Sequence, residues 1–308
     1  MADQSQHKAV QTTGHAWDGD LQEFNNPLPR WWLWTFYATV VFAIVYWIIY
    51  PAWPVGKNFT KGLATTTFVN SDGREVTMHW NTRAEFIRDM QSGEEALKQK
   101  AYLEKVAGAS YEEILDDPDM MAFTQSLAKV LFADNCAACH GLGGTPAEVG
   151  NFPNLRDDAW LWGGSIARIE QTIRKGRLGY MPSFGKVLSN EEIEALAHYV
   201  LSLPGGHDVD KGLVARGNKL YHSEQAGCYY CHTNSGEGLY SQGAADHTDQ
   251  VWTVADVNAA DSAAEKVERV KSVIRNGIQR RMPAWEDRLG DEEIKLLTVY
   301  VHGLGGGQ

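Results

Sequence analysis

The chain has 308 residues, 44% of them hydrophobic and 22% charged, and its formal net charge is −11 at pH 7. At roughly 150 residues per domain, this length predicts about two domains, each able to bury its own core. The composition excludes a disordered acidic tail and a basic nucleic-acid binder, and four cysteines are too few for a disulfide-stapled scaffold. The acidic balance favours a cationic partner or none.

The first predicted element is a membrane anchor. Residues 31–56 carry no charged side chain, and the apolar run from Trp31 to Tyr50 would span roughly 30 Å as a helix, which matches the hydrocarbon core of a bilayer. Aromatic residues crowd both ends of the run, as at membrane interfaces. A buried core helix seldom has such girdles, and no small-residue cleavage site of a signal peptide follows closely. We therefore predict an N-terminal segment over 1–30 and a transmembrane helix over 31–53.

A linker, predicted over 54–118, separates the anchor from the rest of the chain. Residues 57–80 contain two β-rich runs around a Ser-Asp-Gly turn, which predicts a small β-hairpin. A charged surface helix is expected over 83–106. Ser110 and Glu113 have the spacing of a capping box for a short helix, and Pro118 is expected to end that helix.

Beyond the linker the sequence repeats. The stretch that starts at Ile173 recurs at Ile274, an offset of 101 residues, and each copy has a Met-Pro pair followed by an amphipathic helical pattern. The Pro- and Gly-containing run at 203–210 separates the copies. The repeat predicts two domains, at residues 119–204 and 208–306.

Each copy also contains one Cys-x-x-Cys-His motif, the attachment signature of c-type haem. Two thiols three positions apart on a helical turn can both bond the haem vinyl groups, and the adjacent imidazole can then bind the iron. A thioredoxin-like pair or a zinc ribbon is the alternative, but 88 residues lie between Cys139 and Cys228 and a His follows both pairs. The predicted covalent attachment residues are Cys136, Cys139, Cys228 and Cys231, with His140 and His232 as axial iron ligands.

The sixth iron ligands are predicted from the repeat. Among seven Met residues only Met181 and Met282 precede Pro, and they occupy equivalent repeat positions. Thioether ligation opposite His is the arrangement of class I cytochromes c, and it closes the iron to other ligands. The alternative is two core methionines that fill gaps. The simplest pairing is His140 with Met181 and His232 with Met282, although an exchange between the domains stays open.

The sequence resembles the CcoP (FixP) family, the dihaem subunits of cbb3-type cytochrome c oxidases. The resemblance rests on the run from His15 to Trp32, the segment from Asn151 to Gly164, the Met-Pro loops and the order anchor, haem, haem. The second copy departs from the first: Tyr229 and Tyr230 lie inside its motif, it has no Pro-Asn-Leu segment, and its His-to-Met interval is nine residues longer. The fold class is therefore expected to be mainly α, with one transmembrane helix, a small linker hairpin and two tandem class I cytochrome c domains.

The resemblance implies a bacterial electron relay with two covalently attached haem c groups. Electrons would pass from a donor cytochrome c to the monohaem subunit and then to the catalytic subunit, so the chain would not be an enzyme on its own. The anchor contains no ionisable side chain that could bind a haem–copper pair or relay protons. The alternatives are a dihaem carrier for another reductase or dehydrogenase, and a dihaem peroxidase or gas sensor.

The same chemistry predicts the location of the chain. Bacterial haem attachment takes place outside the cytoplasmic membrane, so residues 57–308 are expected in the periplasm and residues 1–30 in the cytoplasm. The anchor would be a single pass through the inner membrane. The acidic charge of the periplasmic part predicts electrostatic steering of a basic cytochrome donor, with a merely soluble acidic surface as the alternative.

Overall fold

The computed structural model describes residues 11–147 and 152–306. The first ten residues of the predicted N-terminal segment, and Asn151 of the quoted first-domain segment, lie outside the described residues. The chain divides into two compact units between Tyr102 and Leu103. Apart from the short strands, the described elements are helical, as the sequence predicts.

The first unit combines small antiparallel hairpins with one long apolar helix. Its strands and helices, with the helix that runs into the second unit, are β1 (Thr12–Trp17), β2 (Leu21–Phe24), α1 (Arg30–Ile49), β3 (Pro54–Val55), β4 (Asn58–Phe59), β5 (Thr65–Val69), β6 (Glu75–His79), α2 (Thr82–Ser92) and α3 (Glu94–Gly108). The pairs β1–β2, β3–β4 and β5–β6 are all antiparallel. The β1–β2 hairpin was not predicted, whereas β5–β6 is the hairpin expected in the linker.

Helix α1 is the predicted anchor. It has 20 residues, none of them buried, and among the described residues it is the one helix long and apolar enough to cross a membrane. Its apolar side chains face outward on every side, which suits lipid rather than a protein core.

The carboxyl end of α1 is held by the chain that returns to it. The backbone N–H groups of Leu63 and Ala64 donate to the carbonyl oxygens of Ile48 and Ile49, at 3.2 and 2.8 Å. These bonds satisfy carbonyls that a helix end leaves without an intrahelical partner. Gly62 has φ of +75°, and a Cβ there would overlap the Ile49 carbonyl, so this close approach requires glycine.

The second unit contains both haem motifs. Its remaining elements are α4 (Tyr111–Asp116), α5 (Pro118–Asn135), α6 (Ala137–His140), α7 (Ile166–Lys175), β7 (Arg177–Met181), α8 (Asn190–Ser202), α9 (Lys211–Tyr221), α10 (Tyr229–His232), α11 (Ala263–Asn276), β8 (Ile278–Met282) and α12 (Asp291–His302). The Ser110–Glu113 capping box is present, but Pro118 starts α5 instead of only ending α4. The predicted charged helix is interrupted at Gly93.

The two sequence copies are intertwined. The last helix, α12, packs on α5 and α7 of the first copy, where the Phe132 and Tyr300 rings lie 5.2 Å apart. Helix α8 of the first copy packs instead on α9 and α11 of the second, with Tyr199 and Tyr221 5.1 Å apart. We call α5–α7 with α12 the first lobe, and α8–α11 the second lobe.

The chain crosses between the lobes at two paired strands. Strands β7 and β8 run antiparallel, with Arg177 opposite Met282 and Met181 opposite Ile278. Because each strand leads into the closing helix of the other lobe, the packing does not follow the predicted domains at 119–204 and 208–306. Those boundaries stay predictions about the sequence copies, and neither copy supplies a whole core by itself.

Candidate haem-binding site

Each Cys-x-x-Cys-His motif forms one helical turn. In α6 the backbone N–H of His140 donates to the carbonyl of Cys136 at 3.0 Å, and in α10 that of His232 donates to Cys228 at 2.9 Å. Side chains at i, i+3 and i+4 lie on one helix face, so both thiols and the imidazole of each motif point the same way. All four thiols are free, and Cys136 and Cys228 are partly buried.

The two histidines are oriented by the same backbone contact. Nδ1 of His140 lies 3.0 Å from the carbonyl oxygen of Pro153, and Nδ1 of His232 lies 2.9 Å from that of Ala245. A carbonyl oxygen can only accept, so Nδ1–H is the donor and Nε2 keeps its lone pair for a metal. Burial lowers the pKa of both imidazoles, partly offset by the same hydrogen bonds, and so favours the neutral, ligating form.

The methionines lie in the opposite lobes from those that the simplest pairing assigns. Met282 packs against the first apolar cluster, together with Cys136, whereas Met181 packs against the second cluster, together with Cys228. The exchange follows from the crossing of the chain at β7 and β8. The structure therefore places Met282 in the lobe that contains the His140 turn, and Met181 in the lobe that contains the His232 turn.

The loops after the methionines are anchored in the same exchanged way. After Met181, the backbone N–H of Phe184 donates to the Ile274 carbonyl at 3.1 Å, in the second lobe. After Met282, that of Trp285 donates to the Ile173 carbonyl at 3.1 Å, in the first lobe. Each Met-Pro loop is therefore fixed to the lobe that it enters.

One cavity connects the two motifs. It has a volume of about 640 Å³, and its lining includes both Cys-x-x-Cys-His turns and both methionines. Most of the remaining lining is apolar or aromatic, as expected for an organic cofactor. Among the described residues, no three His, Cys, Asp or Glu side chains converge as a metal site, so these residues offer no zinc-ribbon donor set.

Comparisons with known proteins identify the family of the chain. The model described as the N-terminal domain of cytochrome oxidase-cbb3, FixP, matches residues 9–57, and that of cytochrome c oxidase, cbb3-type, subunit III matches residues 124–200 and 212–301. The chain is 42% identical to the cbb3-type cytochrome c oxidase subunit FixP of Azorhizobium caulinodans, with 96% of this chain and 94% of the relative covered.

The chain belongs to the FixP/CcoP family of cbb3-type cytochrome c oxidase subunits. It is also 37% identical to the subunits CcoP of Azospirillum brasilense and of Cereibacter sphaeroides, each aligned over at least 95% of both chains. The matched cytochrome c domains imply covalently bound haem c, and the cavity has the thiol, imidazole and thioether donors that such a group requires.

Two arginines that were not predicted from the sequence line the cavity. Arg177 and Arg280 lie on the same faces of β7 and β8 as the methionines, and burial lowers the pKa of both guanidinium groups. Arg177 donates to Thr172 at 3.0 Å and lies 5.1 Å from the centroid of the Trp162 ring. The period-two spacing of these arginines from the methionines was the signal that could have identified them.

A third residue that the sequence analysis missed is His247. Its ring lies 4.1 Å from the ring of His232, centroid to centroid, with 20° between the planes. Burial lowers the pKa of His247 well below its usual range, and the neighbouring His232 adds to this effect. No signal in the sequence marked His247, because the second copy has no Pro-Asn-Leu segment to align it with.

The structure explains how the second copy orients its histidine without a Pro-Asn-Leu segment. Ala245 takes the place of Pro153 as the carbonyl partner of the motif histidine, and each follows its histidine by 13 residues. The two copies keep this register as far as Trp160 and Trp252, 20 residues after each motif histidine. The nine extra residues of the second copy therefore fall between Trp252 and Ile274.

Proposed function

We propose that the chain is the dihaem electron-relay subunit of a cbb3-type oxidase, with no catalytic centre of its own. The observation that carries the proposal is the single cavity that joins two Cys-His turns and two exchanged methionines. When bound, haem c supplies a one-electron Fe(III)/Fe(II) couple. Cys136, Cys139, His140 and Met282 would hold one haem, and Cys228, Cys231, His232 and Met181 the other.

The ligand set favours electron transfer over catalysis. Each histidine is held by its backbone carbonyl with Nε2 free for iron, and a methionine lines the same cavity in each lobe. A thioether ligand would raise the reduction potential of the haem and would leave no open site for oxygen, peroxide or a signalling gas. Oxygen reduction would therefore belong to another subunit of the complex.

The two cavity arginines would neutralise haem propionates. Arg177 makes no salt bridge with an acidic side chain among the described residues, and its hydrogen-bond partners Thr172 and Gln171 are uncharged. A partly buried guanidinium without a counter-charge is costly, so an anionic group in the cavity would stabilise it. Arg280, which donates to the Thr253 carbonyl at 3.0 Å, also lines the cavity and would place a second positive charge beside the same anionic groups.

The paired strands β7 and β8 would bring the two haem sites next to each other. Met181 and Met282 lie on the same face of one two-stranded ladder, so the two haem sites share a cavity wall. The direction of transfer would be from a donor cytochrome c, through this dihaem unit, to the monohaem subunit and then to the catalytic subunit. Family membership favours this assignment over a carrier for another reductase or dehydrogenase.

The haem lobes would lie in the periplasm, with α1 in the inner membrane and the N-terminal segment in the cytoplasm. Covalent haem attachment in bacteria takes place outside the cytoplasmic membrane, which supports this orientation. A reporter enzyme that is active only in the periplasm, fused after residue 308, tests it. Activity is expected, and inactivity with a fully expressed fusion would contradict the orientation.

The exchanged ligation is tested in a chain that retains one haem. In a Cys136→Ala/Cys139→Ala background only the haem at Cys228 and Cys231 can attach. We expect Met181→Ala to abolish its His/Met spectral signature and to permit carbon monoxide binding, and Met282→Ala to change neither. Loss of the signature in Met282→Ala instead would establish the unexchanged pairing.

The relay function itself is tested on the solubilised native complex. We expect the chain to copurify with haem b and copper, and the pyridine haemochrome assay to give two c-type haems per chain. Stoichiometric carbon monoxide binding by the ferrous wild type, or turnover of peroxide, would contradict a relay in favour of a sensor or peroxidase. Isolation without the catalytic subunit would favour the carrier for another enzyme.

A further inference from the structure

The two haem sites differ in the side chain that lies next to the segment holding the motif histidine. Leu155 and His247 occupy equivalent places, each 15 residues after its motif histidine. The backbone N–H of Leu155 donates to the Gly144 carbonyl at 2.8 Å, and that of His247 donates to the Gly236 carbonyl at 2.7 Å. The backbones are therefore matched, and the side chain is what distinguishes the two places.

The leucine gives the first site an apolar neighbour. Leu155 packs against the apolar cluster of the first lobe, which also contains Phe132 and Cys136. The second site has an imidazole instead, stacked on the ring of His232 at 4.1 Å. His247 also lines the shared cavity.

Hydrogen bonding at Nδ1 does not explain the imidazole. Nδ1 of His247 is buried and has no hydrogen-bond partner among the described residues. A buried polar atom without a partner opposes folding, and leucine at this place would avoid that cost. A polar ring kept there against stability indicates a role in the chemistry of the neighbouring ligand.

We propose that His247 is a positioning residue that lowers the reduction potential of the haem held by His232, so that the two haems of the relay are electrically unequal. The inference rests on the proposed dihaem function. Ferric haem carries one more positive charge than ferrous haem, and a polar ring beside its ligand stabilises that charge more than leucine does. Polarity around the axial ligand is one of the means by which a protein sets a haem potential.

An optical redox titration of the complete haem-loaded chain tests this. We expect His247→Leu to raise the midpoint potential of one haem, with about a tenfold change in its ferric-to-ferrous ratio at a fixed potential, or about 59 mV. The other haem is expected to keep its midpoint. The matched variant Leu155→His is expected to lower the midpoint of the other haem instead.

A second substitution separates polarity from ring stacking. His247→Phe keeps an aromatic ring against His232 but removes both nitrogens, so it is expected to raise the potential as His247→Leu does. Unchanged or lowered midpoints in both variants would overturn the inference. If neither His247 variant takes up haem, the inference is tested by Leu155→His alone. An unchanged or raised midpoint of the haem held by His140 in that variant would overturn the inference.

The wild-type titration distinguishes the two proposals. Two one-electron transitions with His/Met signatures are expected in the wild type. A total amplitude that does not correspond to two haems, or another ligand type, would overturn the dihaem function itself, whereas two haems that titrate with one midpoint would overturn only the inequality of their potentials. Two such transitions, followed by no effect of the His247 and Leu155 variants, would overturn only the tuning role.

Discussion

At the residue scale, single hydrogen bonds orient the groups that carry the chemistry. The Nδ1–H of His140 and of His232 is held by a carbonyl 13 residues further along the chain, so Nε2 is the ring nitrogen left free for a metal. The first thiol of each motif is neutral in the haem-free chain, because burial raises the pKa of Cys136 and of Cys228 to about 11. Local backbone geometry thus prepares each site for attachment.

A residue-scale prediction concerns the acid limit of stability. Glu192 accepts a hydrogen bond from the Ser189 backbone at the start of α8, and this bond lowers the pKa of its carboxyl group. A lowered folded-state pKa stabilises the fold above the unfolded-state value, and that stability is lost as pH falls through the folded-state value. Glu192→Gln keeps an acceptor but not the charge, so it should flatten the acid limb of the stability curve.

Equilibrium urea unfolding at several pH values between 3 and 7 measures this effect. Glu191→Gln, on the same first turn but outside the capping box, is the control. If the free energy of unfolding falls as steeply with decreasing pH in Glu192→Gln as in the wild type, the Glu192–Ser189 hydrogen bond does not contribute to the pH dependence of stability.

At the element scale, a close helix crossing defines the second lobe. Gly217 of α9 lies against α8, where a Cβ would overlap the backbone of Ala195 and the Tyr199 side chain. The helices approach this closely because glycine has no side chain. The aromatic contact between Tyr199 and Tyr221 completes the crossing.

Substitution of this glycine tests the crossing. We expect Gly217→Ala to destabilise the haem-loaded chain by about 1–3 kcal/mol, as overpacking does. Gly212→Ala in the first turn of the same helix is the control, since its added Cβ approaches no backbone of α8 and meets only the Asp210 side chain, so a smaller effect is expected. Chemical unfolding measures both, and equal effects would contradict the steric argument.

At the scale of the whole molecule, the two copies depend on each other. Each lobe takes its Cys-His turn from one copy, and its methionine and closing helix from the other. Ion pairs from the end of α7 to the final Met-Pro loop and α12 join the copies further: Lys175 with Glu286 at 2.6 Å and Arg174 with Asp291 at 2.5 Å. The dihaem unit should therefore fold as one body.

Separate production of the copies tests this dependence. Residues 119–204 alone contain a Cys-His turn but lack the methionine and the helix that close its lobe, and so do residues 208–306. We expect neither piece to give a stable His/Met cytochrome, and production of both together to restore the spectrum. A stable His/Met cytochrome from either piece alone would contradict the intertwined packing.

The sequence by itself determined the apolar helix of membrane length, the linker hairpin and both Cys-x-x-Cys-His turns. These features depend on local patterns: an uncharged run of membrane length, β-rich runs around a turn, and a Cys-x-x-Cys-His spacing that fits one helical turn. The capping boxes at Ser110 and Ser189 were predictable for the same reason, since their bonds span three residues. Such features do not depend on which distant segment packs nearby.

Only the tertiary structure decided which methionine lies in the lobe of which Cys-His turn. Helices α8 and α12 follow equivalent Met-Pro loops and present the same apolar spacing, so from sequence alone either could close either lobe. The choice depends on the pairing of β7 with β8 and on packing between segments about 100 residues apart. The stacked His247 was missed for the same reason, because its role comes from a neighbour that the folded chain, and not the local sequence, supplies.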